Sequence, residues 1–332
     1  MATPGVGFGG GMAPSDVVEC VKLAEELGYG SAWFSEGHGG DQFTILTACA
    51  LATRRVQLGT SISSVFVRSA PTIAMAAACV DHFSQGRFIL GLGSSHKVQV
   101  EPEHGLEYSR PLQRTLESVE IIRALLKDGE VSFKGSVFNL ERFDLQFPLF
   151  RKEIPIYLAA VFPRMLQVCG EIAQGAILTS RTPEGCRRAT EDVATGAKRA
   201  GRNPIDVEVA CLISCSVGQD VTETRRSLRG SIAQRIGFFP RYARSIAEDG
   251  FPEEVAAIRE AWTGGDHARA ARLVPDSMID GLTVIGSPDQ IRQRIEDYRR
   301  AGVTLPIITP RLSGTNAKES AMAALRACAP NL

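Results

Sequence analysis

The chain has 332 residues, 44% of them hydrophobic and 22% charged, which is enough to bury a large core in one big domain or two ordinary ones. Its 37 Lys and Arg residues balance its 37 Asp and Glu residues, so the sequence predicts neither a nucleic-acid partner nor an anionic membrane surface. The Gly-rich start does not resemble a secretory signal and the apolar runs are too short to span a bilayer. We therefore expect a cytoplasmic protein with a small-molecule partner.

The eight cysteines show no CxxC or Cys/His ligand spacing. Cys20, Cys49, Cys79 and Cys169 fall in apolar helical patterns, where a free thiol behaves as a small hydrophobic group. No GxSxG or HExxH motif is present. The sequence therefore predicts no disulfide, no metal site and no hydrolytic nucleophile.

Short apolar or β-branched runs alternate with longer amphipathic stretches along the whole chain, which is typical of βαβ units and a parallel sheet. The pattern predicts one (β/α)8 barrel of the TIM type over residues 1–332, and a doubly wound open sheet with two domains is the structural alternative. The eight predicted strands are Gly5–Phe8, Ser31–Ser35, Val56–Ser61, Arg87–Gly91, Ile154–Ala159, Ala176–Thr179, Val207–Ser216 and Val303–Thr309.

Two segments interrupt this alternation. Residues 128–150 read as a β-hairpin, and residues 225–279 read as several added helices. Between the last two strands, Ser287 begins a helix with a capping box. Because barrels often carry function on insertions and on the loops after strands, we expect both segments to shape a substrate pocket.

The second predicted strand is followed by Glu36 and His38 among several glycines. A carboxylate and an imidazole at one strand end offer groups for proton transfer, and the glycines let a flat ligand approach the backbone. His96, which follows the fourth strand, is a second imidazole on the same side of the barrel. A solvated turn that uses glycine for its geometry explains the Glu36 segment equally well.

Other strand ends carry hydroxyls and bare backbone. Ser63 and Ser64 follow the third strand. Gly91 and Gly93 end the fourth strand, and a plain strand-exit turn explains these two glycines as well as a phosphate-binding loop does. After the sixth strand, Thr179 and Ser180 precede a helix start whose backbone amides favour a phosphate, although helix capping accounts for the same pattern.

Five segments resemble the luciferase-like monooxygenase superfamily, in the same order along nearly the whole chain. Within that superfamily the chain is similar to the coenzyme F420-dependent branch, and especially to the methylenetetrahydromethanopterin reductases. The segments are Arg55–Thr60 (RVQLGT), Gly86–Gly93 (GRFILGLG, after a helix with Asp81), Ile154–Ala160 (IPIYLAA), Gly170–Ala176 (GEIAQGA) and Gly286–Asp289 (GSPD).

This resemblance implies a (β/α) barrel that forms homodimers or larger assemblies and binds a deazaflavin, which exchanges a hydride at its central carbon. Glu36 matches the acid beside the cofactor in such enzymes. Ser63 and Ser64 match a bulge that often contains a non-prolyl cis peptide under the ring. The remaining matches are Gly91 and Gly93 near the ring, and Thr179 and Ser180 around the cofactor phosphate.

The chain departs from the reductases at two acids that are implicated in pterin chemistry. Where they carry a glutamate in the first strand, this chain reads Val6-Gly7-Phe8, and His96 replaces an aspartate after the fourth strand. A pterin substrate is therefore not expected. Many relatives also place a histidine directly after the acid of the second strand, whereas Gly37 here separates Glu36 from His38. His38 and His96 thus remain alternatives for the proton-exchanging group.

The sequence supports three hypotheses. The first is a hydride transfer between coenzyme F420 and an organic substrate, with Glu36, His38 and His96 at the reacting centre. The second is a two-component monooxygenase that uses reduced FMN and oxygen on the same scaffold. The third is a barrel that binds a flavin or another ligand without catalysis, because a barrel fold does not prove an activity.

Overall fold

The structure is a computed structural model that describes residues 3–217, 221–312 and 316–330. Over these residues, a parallel sheet closes on itself as a barrel. The strands in chain order are β1 (Gly5–Phe8), β2 (Ser31–Phe34), β3 (Gln57–Thr60), β4 (Ser63–Ser64), β5 (Phe88–Gly93), β6 (Glu130–Lys134), β7 (Asn139–Asp144), β8 (Ile156–Ala159), β9 (Gly175–Thr179), β10 (Glu208–Ser216), β11 (Thr283–Ile285) and β12 (Leu305–Pro310).

Helices alternate with these strands, and a short 3-10 turn spans Pro204–Asp206. The helices are α1 (Pro14–Glu26), α2 (Gln42–Ala52), α3 (Ala70–Ser84), α4 (Lys97–His104), α5 (Pro111–Asp128), α6 (Pro163–Ile172), α7 (Pro183–Arg199), α8 (Val221–Phe238), α9 (Pro240–Glu248), α10 (Pro252–Thr263), α11 (His267–Arg272), α12 (Asp276–Leu282), α13 (Pro288–Arg300) and α14 (Ala317–Ala327).

The barrel contains β1, β2, β3, β5, β8, β9, β10 and β12, and it closes because β10 pairs with both β9 and β12. Each of the eight predicted strands is present, with ends that agree to within two residues. The predicted (β/α)8 barrel is confirmed, and the open doubly wound sheet is wrong. The predicted capping box at Ser287 is also confirmed. That residues 1–332 form one domain stays a prediction.

The barrel interior is filled by large side chains at alternate strand positions. They form an apolar cluster of their own: Trp33, Ile89, Tyr157, Ile177, Ala210, Leu305 and Ile307. Glycine is needed where two neighbouring strands lie unusually close to each other. A Cβ on Gly91 would lie 1.9 Å from the carbonyl oxygen of Thr60, so no larger residue fits there without a shift of the backbone.

The chain between β3 and β5 widens the barrel rim. After β3 ends at Thr60, the short strand β4 pairs Ser63 and Ser64 with the last residues of β5. The peptide bond between Ser61 and Ile62 is cis, two residues before the serine pair at which the resemblance suggested one.

The predicted hairpin over residues 128–150 is confirmed as the antiparallel pair β6 and β7. Its turn is held by Glu117 of α5, a buried carboxylate that accepts hydrogen bonds from the backbone amides of Ser136, Val137 and Phe138 at 2.8 to 3.2 Å. Burial works against ionisation, but hydrogen bonds from Gln113 and from the turn outweigh it and lower the pKa of Glu117 to about 2.

The predicted helical insertion at residues 225–279 is confirmed, and the structure extends it to α8–α12, with β11 following directly. Its helices share a hydrophobic cluster that is separate from the main core. Asp249, which follows α9, joins this insertion to the barrel. Its fully buried carboxylate accepts hydrogen bonds from Arg181, from Arg188 and from the backbone amide of Thr182. Among the described residues, no helix is long and apolar enough to cross a membrane.

Candidate active site at the barrel mouth

A cavity of about 940 Å³ opens at the carboxyl ends of the barrel strands. Ile177, Ile62, Ala159 and Leu212 line it and also pack against the apolar cluster of the barrel interior, which therefore forms its floor. The rim comes from strand exits and from the insertion helices α8 and α9. Concave mouths of this kind are where barrels bind ligands and carry out chemistry.

Glu36 lines the cavity and is held by two neighbours from the β3–α3 segment. Its Oε2 accepts a 2.7 Å hydrogen bond from the backbone amide of Ser64, and its Oε1 accepts one from Arg68. Arg68 also donates to Asp41, which caps α2 by accepting from the amide of Thr44 at 2.8 Å. The carboxylate is therefore a fixed part of the wall that connects the exit of β2 to β4.

The two candidate histidines lie in different surroundings. The His38 side chain is 80% exposed and its Nε2 lies 3.1 Å from a carboxylate oxygen of Glu103, outside the cavity lining. His96 lines the cavity, between the rings of Phe239 and Tyr242 at centroid distances of 4.7 and 4.6 Å. Only the second of these imidazoles is in a position to meet a ligand bound in the cavity.

His96 is uncharged at neutral pH. Burial, and then the positive charges of Arg241 and Arg235, lower its pKa to about 4. Its Nδ1 is buried and has no hydrogen-bond partner among the described residues. A buried polar atom without a partner costs free energy in the free protein, so a ligand group that bonds to it would be favoured.

The serines and glycines predicted for the site divide between its surface and the layer behind it. Gly93 lines the cavity, whereas Gly91 packs against Thr60 below the rim. Ser63 and Ser64 are fully buried behind the wall, where the amide of Ser64 holds Glu36. A Cβ on Gly93 would lie 2.8 Å from the side chain of Ile62, so the bare backbone is required at this rim.

Thr179 and Ser180 lie at the exit of β9. Thr179 lines the cavity, and the Oγ of Ser180 accepts a hydrogen bond from Arg235 of α8. Ser180 has a φ of 55°, a left-handed conformation that is uncommon for residues other than glycine. This strand exit therefore brings a hydroxyl and a guanidinium together, next to the start of α7.

Sequence reasoning missed the basic side chains of the cavity. Arg164, Arg235, Arg241 and Arg311 line it, and none of the four has an acidic partner within the described residues. Arg311 is also buried enough that desolvation, followed by the charge of Arg235, lowers its pKa. The available signal was the position of these arginines, two in the predicted helical insertion, one shortly after the fifth predicted strand and one after the last strand, without a pattern that brings them together.

Comparisons with known proteins agree with this architecture. Residues 2–305 match the family model described as luciferase-like monooxygenase. The chain is 31% identical over 288 residues to a 5,10-methylenetetrahydromethanopterin reductase of Archaeoglobus fulgidus, and the match covers 86% of each chain.

Two solved structures share the fold at lower identity. The coenzyme F420-dependent tetrahydromethanopterin reductase of Methanopyrus kandleri has a TM-score of 0.85 at 24% identity, over 99% of this chain and 98% of that one. An F420-dependent secondary alcohol dehydrogenase, in complex with an F420-acetone adduct, has a TM-score of 0.78 at 21% identity, over 98% and 99%. With the family model matched over most of its length, the chain belongs to the luciferase-like monooxygenase family.

Proposed function

We propose that this protein is an oxidoreductase that transfers a hydride between coenzyme F420 and an organic substrate in the cavity at the barrel mouth. The observation that carries the proposal is a large cavity with an apolar floor and four arginines for which the described residues provide no acidic partner. The names of the Methanopyrus reductase and of the secondary alcohol dehydrogenase, which both include F420, support the same cofactor. When bound, the deazaflavin would supply a ring carbon that donates or accepts the hydride.

The residues of the cavity fit such a cofactor. A flat ring needs an apolar floor and close approach to backbone, which Ile62, Ile177 and Gly93 offer. A phosphate needs hydroxyls and positive charge, which Thr179, Ser180 and Arg235 offer together at the exit of β9. A buried Thr309 Oγ1 without a partner also lines the cavity and offers a further polar contact.

We assign different roles to the two polar side chains near the ring position. Glu36 keeps the wall beside β4 in place, because both of its oxygens are already hydrogen-bonded. His96 exchanges the proton, since it is the candidate imidazole that lines the cavity and its Nδ1 has no hydrogen-bond partner among the described residues. His38, which is outside the lining, is left out of the reacting centre.

The substrate is proposed to differ from a pterin. The reductases carry one acid in the first strand, where this chain reads Val6-Gly7-Phe8, and another where it has His96; Gly7, Phe8 and His96 line the cavity. At Gly7 the neighbouring side chains of Thr309, Ile307 and Leu212 would lie 3.1 to 3.2 Å from an added Cβ, so a larger residue here would require these side chains to shift.

A binding experiment tests the cofactor assignment. Purified protein is titrated with oxidised coenzyme F420 and, separately, with FMN, and binding is followed by fluorescence. Tight binding of coenzyme F420 supports the proposal, and preference for FMN moves the assignment to the two-component monooxygenase. Replacement of His96 by Ala should lower turnover with the fold intact, whereas an unchanged rate would remove this imidazole from the mechanism.

We also propose a homodimer formed through α2 and α3. These adjacent helices carry no Lys, Arg or Glu, and their only aspartate, Asp81, is buried. Their outer surface instead exposes Leu51, Met75 and Phe83. An uncharged surface with large apolar groups is typical of a subunit interface. Sedimentation of the wild-type protein and of Met75→Glu tests this, with dimer expected for the first and monomer for the second.

A further inference from the structure

We infer that the substrate carries an oxyanion, a carboxylate or a phosphate ester, and that Arg241 binds this group beside His96. The inference rests on the proposed function because it names the substrate class of the same cavity. It starts from the arginines, whose charge the described part of the chain leaves without a carboxylate partner.

Within the described part of the chain, neutral groups hold Arg241 at the cavity. Its Nη1 donates to the Oγ of Ser94 at 3.2 Å, and its guanidinium lies 5.3 Å from the ring centroid of Tyr108. The Tyr108 hydroxyl in turn donates to Ser94 at 3.1 Å. These contacts fix the orientation of the guanidinium and leave most of its N–H donors available, in the forked geometry that matches a carboxylate or phosphate.

The charge around Arg241 is not balanced by the cavity wall. Glu36 is the acidic residue in the lining, and its oxygens are already bonded to Arg68 and Ser64. Elsewhere in the fold, Arg181 has the buried partner Asp249, and Arg87 is held by the backbone carbonyls of Val56 and Ala50 at 2.7 and 2.9 Å. Because uncompensated positive charge inside a cavity is costly, its presence here favours an anionic ligand.

The cofactor phosphate does not account for this arginine. Arg235 donates to Ser180 at the exit of β9, whereas Arg241 donates to Ser94 just after β5. In the barrel β8 lies between those two strands, so the two guanidiniums occupy different sectors of the mouth. If Arg235 binds the phosphate, Arg241 is left for the substrate, at Ser94, which directly follows Gly93 in the chain.

The position of His96 gives the anion a second effect. The ring lies close to Arg241 and Arg235, and their charges contribute to its lowered pKa. An anion bound at Arg241 would offset that charge and raise the pKa of His96 towards its ordinary value. The imidazole would then exchange protons most readily when a substrate of the right charge is present.

An NMR titration tests this without turnover. Protein with isotope-labelled histidine is titrated with acid in the presence of acetate, inorganic phosphate or neither, and the pKa of His96 is read from its ring signals. The same titration is made with coenzyme F420 bound. Arg241→Gln removes the charge, and Arg241→Lys keeps the charge but lacks the paired N–H donors of the guanidinium. Arg244→Gln, on the exposed side of α9, is the control.

In the wild-type and Arg244→Gln proteins, we expect at least one of the anions to raise the pKa of His96 by about one unit or more, with or without coenzyme. Arg241→Gln should abolish the response, Arg241→Lys should weaken it, and coenzyme affinity should stay within about twofold. If acetate raises the pKa of His96, the substrate group is a carboxylate, and if phosphate does so, it is a phosphate ester.

Three results would overturn the inference: no response to either anion in the wild type, a full response in Arg241→Gln, or displacement of the anion by the coenzyme. Failure of the coenzyme to bind, with an anion response that still depends on Arg241, would remove the proposed function and leave the anion site standing. The two proposals therefore fail separately.

Discussion

The rings of His96 and Tyr242 meet edge to face at the barrel mouth, with their centroids 4.6 Å apart. His96 follows β5, and Tyr242 belongs to α9 of the helical insertion. The contact therefore joins the barrel to the insertion at the cavity itself. It also removes the imidazole from water, which is the largest cause of its lowered pKa.

The burial of His96 predicts a pH-dependent stability. Its pKa is about 4 in the folded protein against an ordinary value of 6.5, so between these values the unfolded chain binds more protons. The free energy of unfolding therefore rises with pH through this window and falls on acidification, by up to about 3 kcal/mol. Urea unfolding of wild type and His96→Asn at about pH 7 and about pH 4.5 measures the difference. Equal losses in both proteins would contradict the prediction.

Asp249 is expected to hold the helical insertion on the barrel. Asp249→Asn would leave the buried guanidinium of Arg181 without its charged partner, and we expect the free energy of unfolding to fall by about 3–5 kcal/mol. Glu248→Gln, at the neighbouring exposed position with only an ion pair to Arg244, should cost less than about 1 kcal/mol. Hydrogen exchange should show faster opening of α8 and α9 in the first variant alone, and equal exchange in the two variants would refute this role.

Glu117 is expected to fix the hairpin of β6 and β7. Glu117→Gln keeps the shape of the side chain but removes the charge that three backbone amides of the turn share, which should cost about 2–4 kcal/mol. The matched control is Glu120→Gln on the exposed side of the same helix, with no expected cost beyond about 0.5 kcal/mol. Chemical denaturation measures both, and equal stabilities would show that the charge is not needed.

The strands and the two insertions could be predicted because they depend on local pattern. Apolar runs bounded by glycine and proline mark each strand, and chain order then places the strand exits at one end of the barrel. For this reason Glu36, Gly93, His96 and Thr179 all lie in the lining of the cavity. Ser63, Ser64 and Gly91 lie behind that lining, because Gly91 is two residues before the rim position Gly93 in β5 and the two serines form β4, which pairs with the end of β5.

Arg235 and Arg241 could not be predicted at the site, because their position depends on contacts between distant parts of the chain. Arg235 and Arg241 reach the mouth only because α8 and α9 fold back over it, held by Asp249 against the start of α7. Arg241 is 147 residues from the Ser94 hydroxyl that orients it. Neither periodicity nor spacing in the sequence carries information of that range.

The wall beside the cavity offers a last prediction, which separates Glu36 from Asp41. Both carboxylates accept hydrogen bonds from Arg68, but only Glu36 also holds the amide of Ser64 and lines the cavity. Glu36→Gln should therefore weaken coenzyme binding by about tenfold or more. The neutral side chain would hold the amide of Ser64 less strongly, by about 1–2 kcal/mol, so that β4 beside the cavity is less firmly positioned.

Asp41→Asn is the matched control, since Asp41 is 43% exposed and caps α2. It should lower the free energy of unfolding by less than about 1 kcal/mol, because asparagine caps a helix as well as aspartate does and the ion pair to Arg68 is partly exposed, and it should leave coenzyme affinity within about twofold. Titration of both variants with coenzyme F420, together with their urea midpoints, makes the comparison. Equal affinities would mean that Glu36 acts only through Arg68, and that the amide of Ser64 does not need it.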